Sequence, residues 1–213
     1  MTSKTQKLLT LLDGQPVIPV LKIERAADAV PLARALARGG LKAIEITLRT
    51  DEALEAIRRV AAEVEDCIVG AGTILNARQF DQAVEAGSTF IVSPGLTREL
   101  ARHAANSDVP LLPGTITPGE IMGALEAGID FLKFFPAEQA GGVPFLKALA
   151  SPIAGVKFCP TGGISAGNAR DYLSLPNVVC VGGSWVAPDD MVKAGDWAGI
   201  EALAGEANRL RKN

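Results

Sequence analysis

A closed barrel of eight parallel strands, each followed by a helix, is the fold this sequence predicts, and three observations carry it. One unit recurs along the chain: an alanine-rich helical stretch ends at a glycine and leads into a short β-rich run, which stops in Gly, Pro, Thr or Ser. The echo is plain in Ala35-Leu-Ala-Arg-Gly-Gly40, Ala83-Val-Glu-Ala-Gly87 and Ala124-Leu-Glu-Ala-Gly128. Eight such runs fit into 213 residues, as a single-domain (β/α)8 TIM barrel requires. The rival α/β fold, a doubly wound sheet, opens with G-x-G-x-x-G after its first strand, and that motif is missing. No linker or shift in composition divides the chain, so residues 1–213 read as one barrel domain with a short N-terminal helix.

Taken in order, residues 5–12 read as that helix, ended by Asp13-Gly14. The first strand is 16–21, whose two prolines suit a strand end better than a central ladder. A helix over 24–38 is closed by Gly39-Gly40. The later strands are expected at 41–48, 67–72, 89–93, 110–113, 131–135, 156–160 and 178–181, with helices between them. Residues 199–210 form the closing helix.

Composition narrows the function classes. A hydrophobic share of 48% with 21% charged residues suits a packed α/β protein. A net charge of -3 without a Lys/Arg cluster argues against nucleic acid as a partner. No apolar run approaches the ~20 residues that cross a bilayer, so no membrane partner is expected. The start lacks the apolar core of a signal peptide, so a cytoplasmic location is expected. Cys67, Cys159 and Cys180 are far apart within apolar runs and read as small core residues. With His103 as the lone histidine, a zinc site is not expected, although an all-carboxylate magnesium site stays open.

Barrel chemistry sits at the C-terminal ends of the strands, and this rule sorts the lysines. Lys42 and Lys157 open their strands, and Lys147 lies in a helix. Lys22 and Lys133 end theirs, but only Lys133 stands among aromatics, in Asp130-Phe-Leu-Lys-Phe-Phe-Pro-Ala-Glu138. An ammonium buried in such surroundings is relieved by losing its proton, and a neutral amine attacks carbonyl carbon. The alternative is a strand-end lysine whose stem packs and whose head reaches water.

Side chains alternate along a strand, so parity decides which of them meet. In Leu41-Lys-Ala-Ile-Glu-Ile-Thr-Leu-Arg49, residues Ile44, Ile46 and Leu48 suit packing on helices, which turns Glu45, Thr47 and Arg49 inward. The same counting puts Phe131, Lys133 and Phe135 on one face. Lys133 and Glu45 then share the interior with Arg49 near the mouth, unless Glu45 and Arg49 form a structural ion pair at the rim.

Other strand ends offer groups for an anion. Thr73 follows the glycines of Gly70-Ala-Gly72, and Ser93-Pro-Gly95 and Pro113-Gly-Thr115 read as tight turns. Paired glycines follow strands seven and eight, in Pro160-Thr-Gly-Gly-Ile-Ser165 and Val181-Gly-Gly-Ser-Trp185, where barrels often hold a phosphate. A short helix after the second pair is expected to aim its N-terminus at the anion. A nucleophilic lysine, a proton-moving carboxylate, an arginine and a glycine cradle together describe a Schiff-base aldolase acting on a phosphorylated 2-keto acid.

These segments, together with Pro16-Val-Ile-Pro-Val20 and Val69-Gly-Ala-Gly-Thr73, resemble over essentially the whole chain the 2-keto-3-deoxy-6-phosphogluconate (KDPG) and 4-hydroxy-2-oxoglutarate aldolases. The resemblance implies a (β/α)8 barrel assembled as a homotrimer and a class I mechanism with no cofactor or metal. It implies Lys133 as the Schiff-base lysine and Glu45 as the general acid/base. Arg49, Thr73 and Pro94 would hold the substrate carboxylate, Phe135 and Thr161 would line the pocket, and Gly162, Gly163, Gly183 and Ser184 would hold the phosphate. The galactonate-derived epimer is an alternative substrate. A metal-dependent aldolase or isomerase, and a barrel that binds a sugar phosphate without turnover, are the alternative readings.

Overall fold

The structure is a computed structural model, and it describes residues 3–210. Positions 1–2 and 211–213 of the expected domain lie outside the described residues. Helix α1 (Ser3–Leu11) leads into the barrel. Its strands are β1 (Val17–Leu21), β2 (Ala43–Thr47), β3 (Ile68–Gly72), β4 (Phe90–Ser93), β5 (Leu111–Thr115), β6 (Phe131–Phe134), β7 (Lys157–Pro160) and β8 (Val181–Gly183). The helices that follow them are α2 (Ala29–Arg38), α3 (Ala53–Glu63), α4 (Ala77–Glu85), α5 (Arg98–Ala105), α6 (Pro118–Glu126), α7 (Gly142–Leu149), α8 (Ala169–Leu173), α9 (Asp189–Ala194) and the closing α10 (Trp197–Asn208). All strand pairs are parallel in the order β7-β6-β5-β4-β3-β2-β1-β8. The seam between β7 and β8 is held by the bridges Phe158↔Val178 and Thr161↔Gly182, which nearly close an eight-stranded (β/α)8 barrel.

The alternation of side chains divides the core into two layers. Ile44 and Ile46 of β2, Leu132 and Phe134 of β6, and Val69 and Ala71 of β3 pack outward with Leu36, Ile57, Phe80 and Leu146 of the helices. Ala43, Phe90, Val92, Leu112, Phe131, Cys159 and Cys180 fill the barrel interior. Leu8 of α1 and Leu12 after it belong to this inner cluster, so α1 plugs the N-terminal end of the barrel. Lysines hold the plug: Lys4 donates to the carbonyl of Ala104 at 2.6 Å, at the C-terminal end of α5, and Lys7 to that of Asp108 at 2.8 Å in the loop that follows.

Four details depart from the sequence reading. Pro19 stands inside β1, between β2 and β8, and the ladder to β2 runs over Val20↔Glu45 and Leu21↔Ile46, past the proline. The segment 24–38 starts with a 3-10 turn, Ala26–Asp28, and Pro31 sits in the first turn of α2, where a proline is tolerated. Pro113-Gly-Thr115 is strand β5 rather than a turn, because Gly114 and Thr115 pair with Lys133 and Phe134. The eighth strand begins at Val181, three residues later than expected, and Val178 lies before it, forming an isolated bridge to Phe158.

Candidate active site

Parity alone brings the decisive pair together. Glu45 in the middle of β2 and Lys133 near the end of β6 both point into the barrel, and Lys133 Nζ donates to Glu45 Oε1 at 3.4 Å. The side chains are 7% and 4% exposed. Taking two charges out of water costs several kcal/mol each, and well-packed apolar residues often serve stability equally well or better. A buried pair of this kind is a poor stabiliser and a good reactive centre. The Phe135 ring lies beside it, with Lys133 Nζ 5.1 Å from the ring centre.

Glycines make the space. A Cβ on Gly72 would overlap the carboxylate of Glu45, and one on Gly70 would overlap the Phe90 ring, which accounts for both glycines of Gly70-Ala-Gly72. Gly114, beside Lys133 in the sheet, is crossed closely by the Pro94 carbonyl, so Pro94 packs on the strand that pairs with the lysine's. Thr73 follows Gly72 with φ 60°, a left-handed conformation that is unusual for a β-branched residue. It is pinned between two backbone bonds, Leu48 N–H to the Gly72 carbonyl at 2.8 Å and Ile74 N–H to that of Val92 at 3.2 Å. Local strain of this kind gathers at functional sites.

Arg49 does not pair with Glu45. It lies exposed past the end of β2 and donates through Nε to Thr47 Oγ1 at 2.8 Å, and Thr47 in turn donates to the Leu21 carbonyl at 2.8 Å. Arg49 and Ser184 line one small cavity of about 160 Å³ together with Leu21 and Lys22 at the end of β1, Leu32 of α2 and Asp189 of α9. Thr161 is buried at the end of β7, and its hydroxyl fills the space that a side chain on Gly182 would need.

Both glycine pairs are shaped by their neighbours. Gly162 and Gly163 have φ 102° and 75°, and they lie against Pro136 and Glu138 of the loop after β6. Gly183 ends β8, and the Trp185 ring lies where its side chain would be. Ser184 follows in a turn closed by Ala187 N–H to the Ser184 carbonyl at 3.1 Å, where a short helix was expected; α9 begins only at Asp189. Of the other lysines, Lys22 is exposed, paired with Glu24 and borders the same cavity as Arg49 and Ser184, while Lys157 donates to the Pro176 carbonyl at 3.2 Å. His103 Nε2 is 2.7 Å from Asp81 Oδ1 on the outer helices, with its ring edge-on to Phe80.

Sequence reasoning missed the groups behind the Gly162-Gly163 loop. Tyr172 of α8 is fully buried and donates its hydroxyl to Glu138 Oε1. Burial first, and the Glu138 carboxylate second, push its phenol well above the usual range. No local signal marks this pair, whose members are 34 residues apart.

A lysine and a glutamate facing each other inside a barrel, under a rim of glycines and one arginine, match one family model, that of the KDPG and KHG aldolases, over residues 9–203. The chain belongs to this family. The KHG/KDPG aldolase of Escherichia coli K12 is 49% identical over 198 residues, 93% of each chain. The KDPG aldolase of Legionella pneumophila, solved with pyruvate captured as a covalent carbinolamine, superposes with a TM-score of 0.92 at 42% identity over 99% of both chains. The KDPG aldolase of Zymomonas mobilis ZM4, solved with 3-phosphoglycerate, gives 0.92 at 50% identity over 98% of both. A solved KDPGal structure is more distant, with a TM-score of 0.76 at 28% identity over 91% of this chain and 96% of that one.

Proposed function

We propose that this protein is a class I aldolase that reversibly cleaves 2-keto-3-deoxy-6-phosphogluconate to pyruvate and glyceraldehyde 3-phosphate, and that also cleaves 4-hydroxy-2-oxoglutarate to pyruvate and glyoxylate. The observation that carries it is the buried contact of Lys133 Nζ with Glu45 Oε1 at 3.4 Å. Lys133 attacks the C2 ketone, and Glu45 moves protons through the carbinolamine until water leaves and the iminium forms. Glu45 then takes the C4 hydroxyl proton, directly or through a water. The C3–C4 bond breaks, its electrons pass into the enamine, and glyceraldehyde 3-phosphate departs. Protonation at C3 and hydrolysis release pyruvate and the free lysine.

Arg49, Thr73 and Pro94 receive the substrate carboxylate, Phe135 and Thr161 line the reacting carbons, and Gly162, Gly163, Gly183 and Ser184 receive the phosphate. The closer kinship with KDPG aldolases than with KDPGal favours the gluconate-derived substrate over its C4 epimer. The imine itself needs no metal, since the protonated lysine imine is the electron sink. The chain acts as one domain over 1–213 in a cytoplasmic setting, as a homotrimer. Met122 and Leu125, exposed on helix α6 three residues apart, are the apolar side chains such an assembly would cover.

Incubation with pyruvate and borohydride tests the reading. A reduced pyruvyl adduct on the peptide carrying Lys133, absent in Lys133→Ala, is the expected result, and Glu45→Gln should form its adduct only slowly. An adduct on Lys22, or none, would overturn it.

A further inference from the structure

The loop expected to carry the phosphate does not stand alone. Beyond the strand ends, the segment after the lysine's strand keeps pairing with it: Ala137 N–H donates to the Thr161 carbonyl at 2.8 Å and Glu138 N–H to that of Gly162 at 3.1 Å. The stem of Glu138 crosses Gly163, where an added Cβ would come within 2.6 Å of Glu138 Cγ. Both glycines have positive φ, so the loop adopts a backbone that other residues rarely take. On its far side Asn168 Nδ2 donates to the Gly163 carbonyl at 3.0 Å, and Asn168 Oδ1 accepts from Ser165 N–H at 2.8 Å.

Glu138 is exposed, and its position is set by one partner from the interior. The Tyr172 hydroxyl, at the end of a ring that is entirely buried, donates to Glu138 Oε1. Gly142, at the start of α7, leaves the room: a Cβ there would lie 3.1 Å from the Tyr172 hydroxyl and 3.4 Å from Glu138 Oε1. A hydrogen bond to a carboxylate is shorter and stronger than a neutral one, and by holding the carboxylate beside Gly142 it fixes the Glu138 stem over Gly163. Neither group reaches the interior where Lys133 meets Glu45, so their effect falls on the loop.

We propose that Glu138 and Tyr172 are positioning residues that hold the Gly162-Gly163 loop in its phosphate-receiving shape and thereby set the preference for phosphorylated over unphosphorylated 2-keto acids. This rests on the aldolase reading above and on the phosphate cradle within it. The two residues do no chemistry. They tie the loop to the segment that continues the lysine's strand, so the phosphate end of the substrate is registered against the nucleophile.

The test compares wild type, Tyr172→Phe and Glu138→Gln with the phosphorylated substrate and with 4-hydroxy-2-oxoglutarate. Inorganic phosphate serves as an inhibitor of the second reaction. Both variants should raise KM for the phosphorylated substrate about tenfold, the loss of one charge-assisted hydrogen bond, with kcat within about twofold. Phosphate inhibition should weaken to a similar extent, while KM and kcat for 4-hydroxy-2-oxoglutarate stay within about twofold. Equal losses on both substrates would reduce the pair to a structural role and overturn the inference, as would unchanged phosphate inhibition. Glu138→Gln leaves the buried ring intact, so a folding defect confined to Tyr172→Phe does not blunt the test. Wild-type protein that forms no borohydride-trapped adduct would fail at the earlier step, and the aldolase reading would fall together with this one.

Discussion

At the scale of single residues, Gly72 and Glu45 form one unit. The carboxylate occupies the volume that any side chain at position 72 would need, while the Gly72 carbonyl accepts from Leu48 N–H. Gly72→Ala therefore pushes Glu45 away from Lys133 without demanding an unfavourable φ. We expect turnover to fall on the order of 100-fold, the usual contribution of a placed acid/base. The pyruvate adduct should still form on Lys133, and steady-state kinetics beside adduct trapping will check both. The cysteines give a contrasting expectation. Burial pushes the Cys67 thiol up to about 12, and contact with Cys159, then burial, raises Cys180 as well. Only the thiolate is nucleophilic, so neither Cys67 nor Cys180 should react quickly with a disulfide reagent at pH 7 until the protein is unfolded. Fast labelling of either in the native protein would contradict this.

At the scale of elements, helix α6 shows how local sequence sets the frame around the site. Thr117 caps it and accepts from Glu120 N–H at 3.3 Å, Glu120 Oε2 accepts from Thr117 N–H at 2.8 Å, and Pro118 opens the first turn. The backbone N–H groups of Thr117 and Ile116 hold the Glu120 carboxyl below the usual carboxylate range. A carboxylate lowered in the folded state adds stability above its unfolded value, and the contribution disappears as pH falls through the folded value. Thr117→Ala should cost about 1 kcal/mol. Glu120→Ala should be destabilising at pH 7 and should converge with wild type in strong acid. Urea titrations of both variants at the two pH values will check this, and an unchanged difference in acid would refute the assignment. The same grammar of glycine-ended helices and short β runs let the eight units be counted in the sequence. The register of β5 and the late start of β8 escaped, because a proline and two glycines look like turns until neighbouring strands supply their pairing partners.

At the scale of the whole molecule, the proposals are assembly and independence from metal. Sedimentation should give three times the mass of the chain, and replacing Met122 and Leu125 (59% and 40% exposed) by polar residues tests whether α6 contributes to the interface. Turnover should be unchanged by a chelator, whereas a metal-dependent enzyme would lose it. Much of the site was legible beforehand, since strand parity is a local property: Glu45 and Lys133 each declared a face, and a barrel has one inside. Arg49 was legible as a residue but not as a contact, because it lies past the strand end, where parity no longer fixes direction; its partner is Thr47 rather than Glu45. By itself, then, the sequence determined the barrel, the inward-facing lysine and glutamate, and the glycine-rich strand ends, all of which follow from periodicity and residue size. Only the tertiary structure decided that Gly72 makes room for Glu45, that Thr73 takes a left-handed backbone, and that Tyr172 reaches Glu138 behind the Gly162-Gly163 loop. Those contacts join positions far apart in the chain, and no local pattern can encode which distant side chain will fill a given space.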